Sequence, residues 1–317
     1  MTRFLITGAT GFLGTALTGH LLEQGHQVTA CHRRPLAEIA LPPGVDSFHH
    51  GDLQQEVAWE DALADVDVVV HLAGRVHQMK ETAADAEVAY QLANVEATAA
   101  LARQAALSSA RRMVFASSVK AMGEATTPGS PWTPDSACHP LDPYGRSKLA
   151  AERSLARICE GSRLEFSIAR LPLVYGPGVR ANFLRLLEVV ARGSFVPAGI
   201  TNNRRSFLGV RNFCSAIEAI ASHPAAAGQT YLLSDGISLS TGALIEKMAQ
   251  ALGARPRSLP LPTALLRLLG PHGRRLVSSL EVSSASLEQS LDWQPPFSME
   301  EELAATVAWY RQQQEAR

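Results

Sequence analysis

Phe4-Leu5-Ile6-Thr7-Gly8-Ala9-Thr10-Gly11-Phe12-Leu13-Gly14 is the stretch on which the fold turns. A short apolar run broken by glycine reads as a buried strand, and the residues after Gly11 read as a helix. Glycine lets the backbone turn sharply and approach phosphate closely, while a helix start offers free N–H groups and the positive end of a dipole. The segment is built to hold a pyrophosphate, with Gly8, Thr10, Gly11, Phe12, Leu13 and Gly14 as candidate dinucleotide contacts. Its Gly-x-x-Gly-x-x-Gly spacing is one residue longer than the better-known dinucleotide fingerprint, and a tight turn without a ligand is the plain alternative.

Outward from this segment, strands are expected at 3–7, 27–32, 66–72, 112–117 and 165–170, and the alanine-rich residues 85–108 read as one long helix. Asp67-Val68-Val69-Val70 and Arg112-Met113-Val114-Phe115-Ala116 are apolar after their first residue, as strands buried on both faces should be. This alternation implies an α/β fold, a Rossmann-type doubly wound parallel sheet over residues 1–172. A smaller, interleaved substrate lobe is expected over 173–317, with a return to the sheet near 206–235. Within it, helices are expected at 182–191 and up to 221, and strands at 205–210 and 229–234. Ser298-Met299-Glu300-Glu301 has the form of a capping box opening a last helix. Thr126-Thr127-Pro128-Gly129-Ser130-Pro131-Trp132-Thr133-Pro134 is rich in turn formers and is expected to frame the mouth of an active site.

The 317 residues suffice for a large core, and 29 basic against 30 acidic residues give a net charge of -1. No basic field points to nucleic acid or to an anionic membrane. The opening apolar run is too short for a secretory signal and no run is long enough to cross a bilayer, so a soluble cytoplasmic protein is expected. Cys31, Cys138, Cys159 and Cys214 are widely spaced, which indicates neither a disulfide framework nor a zinc site, and no metal is expected.

Tyr144-Gly145-Arg146-Ser147-Lys148 supplies the chemistry. One helical turn separates Tyr144 from Lys148, so the phenol and the ammonium share a helix face, where the lysine charge should favour phenolate. Such a tyrosine can pass a proton to or from a carbinol, and with a dinucleotide nearby the implied reaction is hydride transfer at a carbon bearing oxygen. Which dinucleotide is read at the end of the second strand, where a carboxylate accepts from the adenosine ribose and a cation accommodates a 2'-phosphate. Cys31-His32-Arg33-Arg34-Pro35 contains no acid, which favours NADP(H) over NAD(H), with Arg33 and Arg34 as phosphate partners or else as a solvated loop. Asp52 and Leu53 are expected at the adenine edge. Leu72, Ala73 and Gly74 are small enough for the backbone to run along the dinucleotide, and Pro172 completes the candidate cofactor contacts. His71 reads more readily as a satisfied core histidine than as a catalyst.

Taken together with Gly51-Asp52-Leu53, His71-Leu72-Ala73-Gly74, Asn94-Val95, Ser117-Ser118, Leu173-Val174-Tyr175-Gly176-Pro177-Gly178 and Arg205-Ser206-Phe207, these motifs resemble the extended short-chain dehydrogenases. The likeness is strongest to their nucleoside-diphosphate-sugar epimerases, dehydratases and 4-ketoreductases, and it spans nearly the whole chain. The resemblance implies that Tyr144 is the general acid or base, that Lys148 lowers its pKa and holds the nicotinamide ribose, and that Ser118 bonds the reacting oxygen, with Ser117 as its competitor. It also implies that Asn94 supports the cofactor region, unless it only packs a helix. Asn182 and Arg205, with Arg275 as a further candidate, would contact a nucleotide diphosphate.

Dehydratases of this kind carry Asp-Glu directly after the catalytic hydroxyl residue, where this chain has Val119 and Lys120. Epimerases commonly have asparagine at the place of Leu173. Dehydration is therefore not expected, while Leu173 and the missing acid in Cys31-His32-Arg33-Arg34 both lean toward a reductase, and the likeness through 71–77 and 203–207 is to bacterial enzymes of O-antigen assembly. The expected reaction is NADPH reduction of a UDP-linked 4-keto-6-deoxy-N-acetylhexosamine. Its rivals are a 4-epimerase that holds NAD throughout, a reductase of a non-nucleotide ketone, and a dinucleotide-sensing regulator without turnover. Relatives often pair as homodimers through a four-helix contact, which is expected here too.

Overall fold

The computed structural model describes residues 1–76, 83–197, 203–255, 257–259 and 277–315. Its first strand, β1 (Arg3–Thr7), runs into helix α1 (Phe12–Glu23), and β2 (Gln27–His32), β3 (Asp46–His49), α2 (Glu60–Leu63) and β4 (Val68–His71) come next. Then come α3 (Ala83–Tyr90), a π-helical turn (Gln91–Glu96), α4 (Ala97–Ala106), β5 (Arg112–Ser118), α5 (Pro143–Cys159) and β6 (Glu165–Leu171). Five of these strands fall where the residue pattern puts them, β4 shorter by a residue or two at its ends.

Beyond β6 the elements are β7 (Leu173–Tyr175), α6 (Ala181–Ala191), β8 (Phe195–Pro197), β9 (Arg205–Gly209), α7 (Val210–Ser222) and β10 (Gln229–Leu232). After them lie β11 (Ser238–Leu239), α8 (Thr241–Leu252), β12 (Arg257–Leu259), α9 (Ala285–Leu291) and α10 (Met299–Glu315). The capping box forms at the start of α10: the Ser298 N–H donates to Glu301 Oε2 at 2.8 Å, and the Glu301 N–H donates back to Ser298 Oγ at 3.3 Å.

Seven parallel strands form one sheet in the order β10-β6-β5-β4-β1-β2-β3. Alternate residues of each strand point to opposite faces. Phe4, Ile6, Val68 and Val70 therefore pack under α1 and α7 with Leu17, Phe213 and Ile217, while Leu5, Val69, Met113 and Phe115 pack under α4 and α5 with Leu101 and Leu155. Each such side chain removed from water contributes about 1.5–3 kcal/mol. β2 lies on one side of β1 and β4 on the other, so the chain order reverses between β1 and β4, the place where open α/β sheets hold ligands at their carboxyl ends. A third core, including Tyr175, Phe183, Leu187, Met248 and Leu303, joins α6, α8 and α10.

The long helix expected over 85–108 is interrupted. Six residues, Gln91–Glu96, take π-helical form, and the Asn94 carbonyl there accepts from Thr98 Oγ1 at 2.5 Å. Single π turns of this kind gather at functional sites. Among the described residues, no helix is long and apolar enough to cross a membrane.

Candidate active site

The turn between β1 and α1 is made by glycines that nothing else could replace. Gly8 has φ +70°, and a Cβ there would stand 2.9 Å from the Ala73 nitrogen; a Cβ on Gly14 would stand 2.6 Å from Ala9 Cα. Gly11 begins α1 without a side-chain cap, so the first helical N–H groups are available to an anion. A cavity of about 810 Å³ opens at this turn. Gly8, Thr10, Gly11, Arg33, Arg34, Asp52, Leu53, Leu72, Ala73 and Gly74 line it, all expected as dinucleotide contacts. A cradle that a Cβ would fill, uncapped amides and paired cations suit a dinucleotide pyrophosphate and ribose.

The other cofactor candidates lie elsewhere. Phe12 lines a groove of about 920 Å³ shared with Pro177, Gly178 and Val210, Leu13 packs on the core, and Pro172 is buried at the β6–β7 junction. Asn94 stands behind the cavity: its Oδ1 accepts from the Arg75 N–H at 2.7 Å, and its Nδ2 donates to the Arg75 carbonyl at 3.2 Å and to Ser147 Oγ at 2.9 Å. It therefore ties the loop after β4 to α5. His32, His50 and Arg180 line the cavity without having been expected. For His32 a signal existed, since it is the last residue of β2.

Tyr144 lies in the first turn of α5, whose start is held by Asp142 accepting from the Gly145 N–H at 2.6 Å and by Pro143 at the first helical position. Ser118 ends β5, and its Oγ accepts from the Lys120 N–H at 3.2 Å. Ser117 points to the opposite face, where its hydroxyl donates to Glu152, itself gripped by Arg170 at 2.7 Å. Ser117 is thereby engaged by Glu152 of α5, while Ser118 stands at the strand end. Lys148 is buried, donating from Nζ to the Ala116 carbonyl at 2.9 Å, with the Phe115 ring centroid 4.5 Å away. A Cβ on Gly74 would stand 3.4 Å from Lys148 Nζ, so the lysine abuts the end of the cavity wall.

Burial pushes the Tyr144 phenol up to about 12, opposed by the Ser118 hydrogen bond and assisted by Asp142 and Tyr90. Burial lowers Lys148 to about 8 against the opposing pull of Glu152. At neutral pH the phenol keeps its proton and can donate it.

His71 is a strut, and its hydrogen bonds fix its tautomer. The Thr98 hydroxyl donates to the Asn94 carbonyl, so it can only accept from His71 Nε2 at 3.0 Å, and Nδ1 then accepts from the Thr7 hydroxyl at 2.6 Å. Burial drives its pKa down to about 3. Where a dehydratase would carry its acids, Val119 is buried and Lys120 is bound by Glu124 and Asp142. The loop at 126–134 is pinned by Gly129 N–H to Glu281 and Trp132 N–H to the Glu281 carbonyl. Asn182 is exposed in the first turn of α6, and Arg205, opening β9, donates to the Ser278 carbonyl at 3.2 Å. Arg275 lies outside the described residues.

The profile of the NAD dependent epimerase/dehydratase family matches residues 4–234. Over 316 residues, 97% of this chain and 95% of the relative, the chain is 35% identical to a UDP-glucose 4-epimerase of Vibrio cholerae. It is 30% identical over 259 residues to a 2-alkyl-3-oxoalkanoate reductase of Stenotrophomonas maltophilia, covering 80% of this chain and 76% of that one. The solved structure of MoeE5 in complex with UDP-glucose and NAD has a TM-score of 0.81 and 27% identity, over 98% of this chain and 99% of that chain. With glycine turn, switch-point cavity and Tyr-Lys helix all in place, the chain belongs to the NAD dependent epimerase/dehydratase family.

Proposed function

We propose that this chain exchanges hydride and a proton at C4 of a nucleotide-linked hexose, with 4-epimerisation of a UDP-sugar as the leading form of that reaction. The observation that carries it is the buried Lys148 one helical turn from Tyr144 on α5, with Ser118 at the end of β5 and a cavity beside the lysine that suits a dinucleotide. The bound nicotinamide would supply the hydride acceptor and donor. Ser118 and Tyr144 would hold the C4 oxygen, and Tyr144 would move its proton. Lys148 would bond the nicotinamide ribose, and Asn182 and Arg205 would meet the diphosphate.

Similarity to the Vibrio cholerae 4-epimerase and to MoeE5, solved with UDP-glucose and NAD, favours this form over the ketoreductase expected from the residues. Reduction of a UDP-4-keto-6-deoxy-N-acetylhexosamine by NADPH, in O-antigen sugar synthesis, is the second reading. It is favoured by the missing acid at the end of β2, by Arg33 and Arg34, and by a phenol that holds its proton. Tyr144→Phe is expected to lower kcat by about 10²–10⁴ while leaving dinucleotide binding intact. Unchanged turnover in a steady-state assay would remove Tyr144 from the mechanism. Mass spectrometry of the purified chain separates the two forms, since stoichiometric NAD fits the epimerase and an empty site with tighter NADPH than NADH binding fits the reductase.

A further inference from the structure

We propose that Lys120 is a positioning residue for Ser118 and Tyr144: its main chain holds the serine against the start of α5, and its ammonium screens the phenol from the carboxylate that caps that helix. The inference rests on the reading of Tyr144 as the residue that moves the proton. Lys120 lies in a short helical turn (Val119–Ala121) directly after β5, with Ser118 as the cap of that turn. Its N–H donates to Ser118 Oγ at 3.2 Å, which occupies a lone pair of the serine and leaves the hydroxyl hydrogen for another acceptor. The Lys120 carbonyl lies against Gly145, the residue after Tyr144, where a Cβ would collide with it. One residue thus joins the end of β5 to the first turn of α5.

The ammonium completes the link. The Lys120 side chain is 23% exposed, pairs with Glu124, and places Nζ 3.3 Å from Asp142 Oδ2. Asp142 Oδ1 accepts from the Gly145 N–H at 2.6 Å, so the same carboxylate caps α5. It stands two residues before Tyr144 and adds to the burial that makes the phenol hold its proton. Arg146, another cation of this turn, pairs with Glu87 of α3 at 3.0 Å and donates to the Leu141 carbonyl at 3.3 Å. Among the described residues, Lys120 is therefore the cation paired with Asp142. The phenol is also faced by Tyr90, with ring centroids 5.9 Å apart, and by Lys148 one turn along α5, itself bound to the Ala116 carbonyl. Without its counter-ion Asp142 would oppose the phenolate more strongly, since a like charge nearby disfavours ionisation. A partly exposed ion pair adds little to stability, so the fold does not depend on it.

The test is the pH profile of kcat/KM for 4-epimerisation of UDP-glucose or UDP-N-acetylglucosamine with NAD, along the limb that rises as the phenol ionises. Lys120→Met is expected to move that limb up by about half to one pH unit, a loss of about three- to tenfold at a fixed pH on the limb, with NAD affinity within about twofold. Lys120→Arg keeps the cation and should leave the limb in place. Asp142→Asn can still cap α5; it should return the limb when combined with Lys120→Met and move it down when made alone. If Lys120→Met keeps the unaltered profile, or loses rate that Asp142→Asn does not return, Lys120 only packs the turn and the proposal falls. Should Lys120→Met fail to fold, Asp142→Asn alone decides, because a limb that does not move down contradicts the screening. Tyr144→Phe, measured alongside, separates this proposal from the reading beneath it. If that variant turns over like the unaltered chain, or the unaltered chain epimerises neither sugar, the reading falls and this proposal with it.

Discussion

Lys148 carries a charge into the interior, where packing alone would favour an apolar side chain. Its folded pKa is about 8 against an ordinary 10.5, so between those values the unfolded chain holds a proton that the folded chain has lost, and stability rises with pH across that window. Below pH 8 the full cost of burying the cation is present. Lys148→Met is therefore expected to raise stability at pH 7 by about 1–3 kcal/mol while abolishing turnover, and the gain should shrink toward pH 10. Urea midpoints at the two pH values check it, and a destabilised variant at pH 7 would contradict it. Tyr144, Lys148 and the three glycines were legible because spacing along one helix or one turn determines what they can reach. The Ser117–Glu152 and Lys148–Ala116 bonds were not, because each joins residues of different elements far apart in the chain. The Lys148 ammonium bonds the Ala116 carbonyl, a partner on another element that helix spacing does not foretell.

Two elements, β5 and α5, hold the site between them, and a buried ion pair fastens α5 to the neighbouring strand β6. Glu152 of α5 takes the Ser117 hydroxyl of β5 and both Nε and Nη2 of Arg170 on β6, at 3.1 and 2.7 Å, with the two charged side chains 4% and 7% exposed. Glu152→Ala leaves the guanidinium buried without its counter-ion, and a loss of about 3–5 kcal/mol is expected in equilibrium unfolding. A loss under about 1 kcal/mol would show that the pair does not fasten the layer. The π turn before α4 was hidden in the sequence because 85–108 has a helix-forming composition throughout. What bends it is long-range: Asn94 bonds Arg75 and Ser147, residues distant along the chain.

Over the whole molecule, the alternation of strands and helices made the α/β class and most of the sheet readable, including the return at Gln229–Leu232 beside β6. The reversal of strand order between β1 and β4 places the Gly8 turn and the cavity on one edge, with β5 and its Ser118 next in the sheet. Residue patterns were less informative beyond Pro172, where short strands pair into separate small sheets of three and two. Hydride passing from C4 of the sugar to a nicotinamide, with Tyr144 moving the accompanying proton, is the central claim. It is tested most directly by incubating the enzyme and NAD with UDP-glucose or UDP-N-acetylglucosamine deuterated at C4, and locating the label by mass spectrometry. Deuterium is expected on the nicotinamide during turnover, or returned to C4 of an epimerised product, with neither seen in Tyr144→Phe. Deuterium released to water would contradict it.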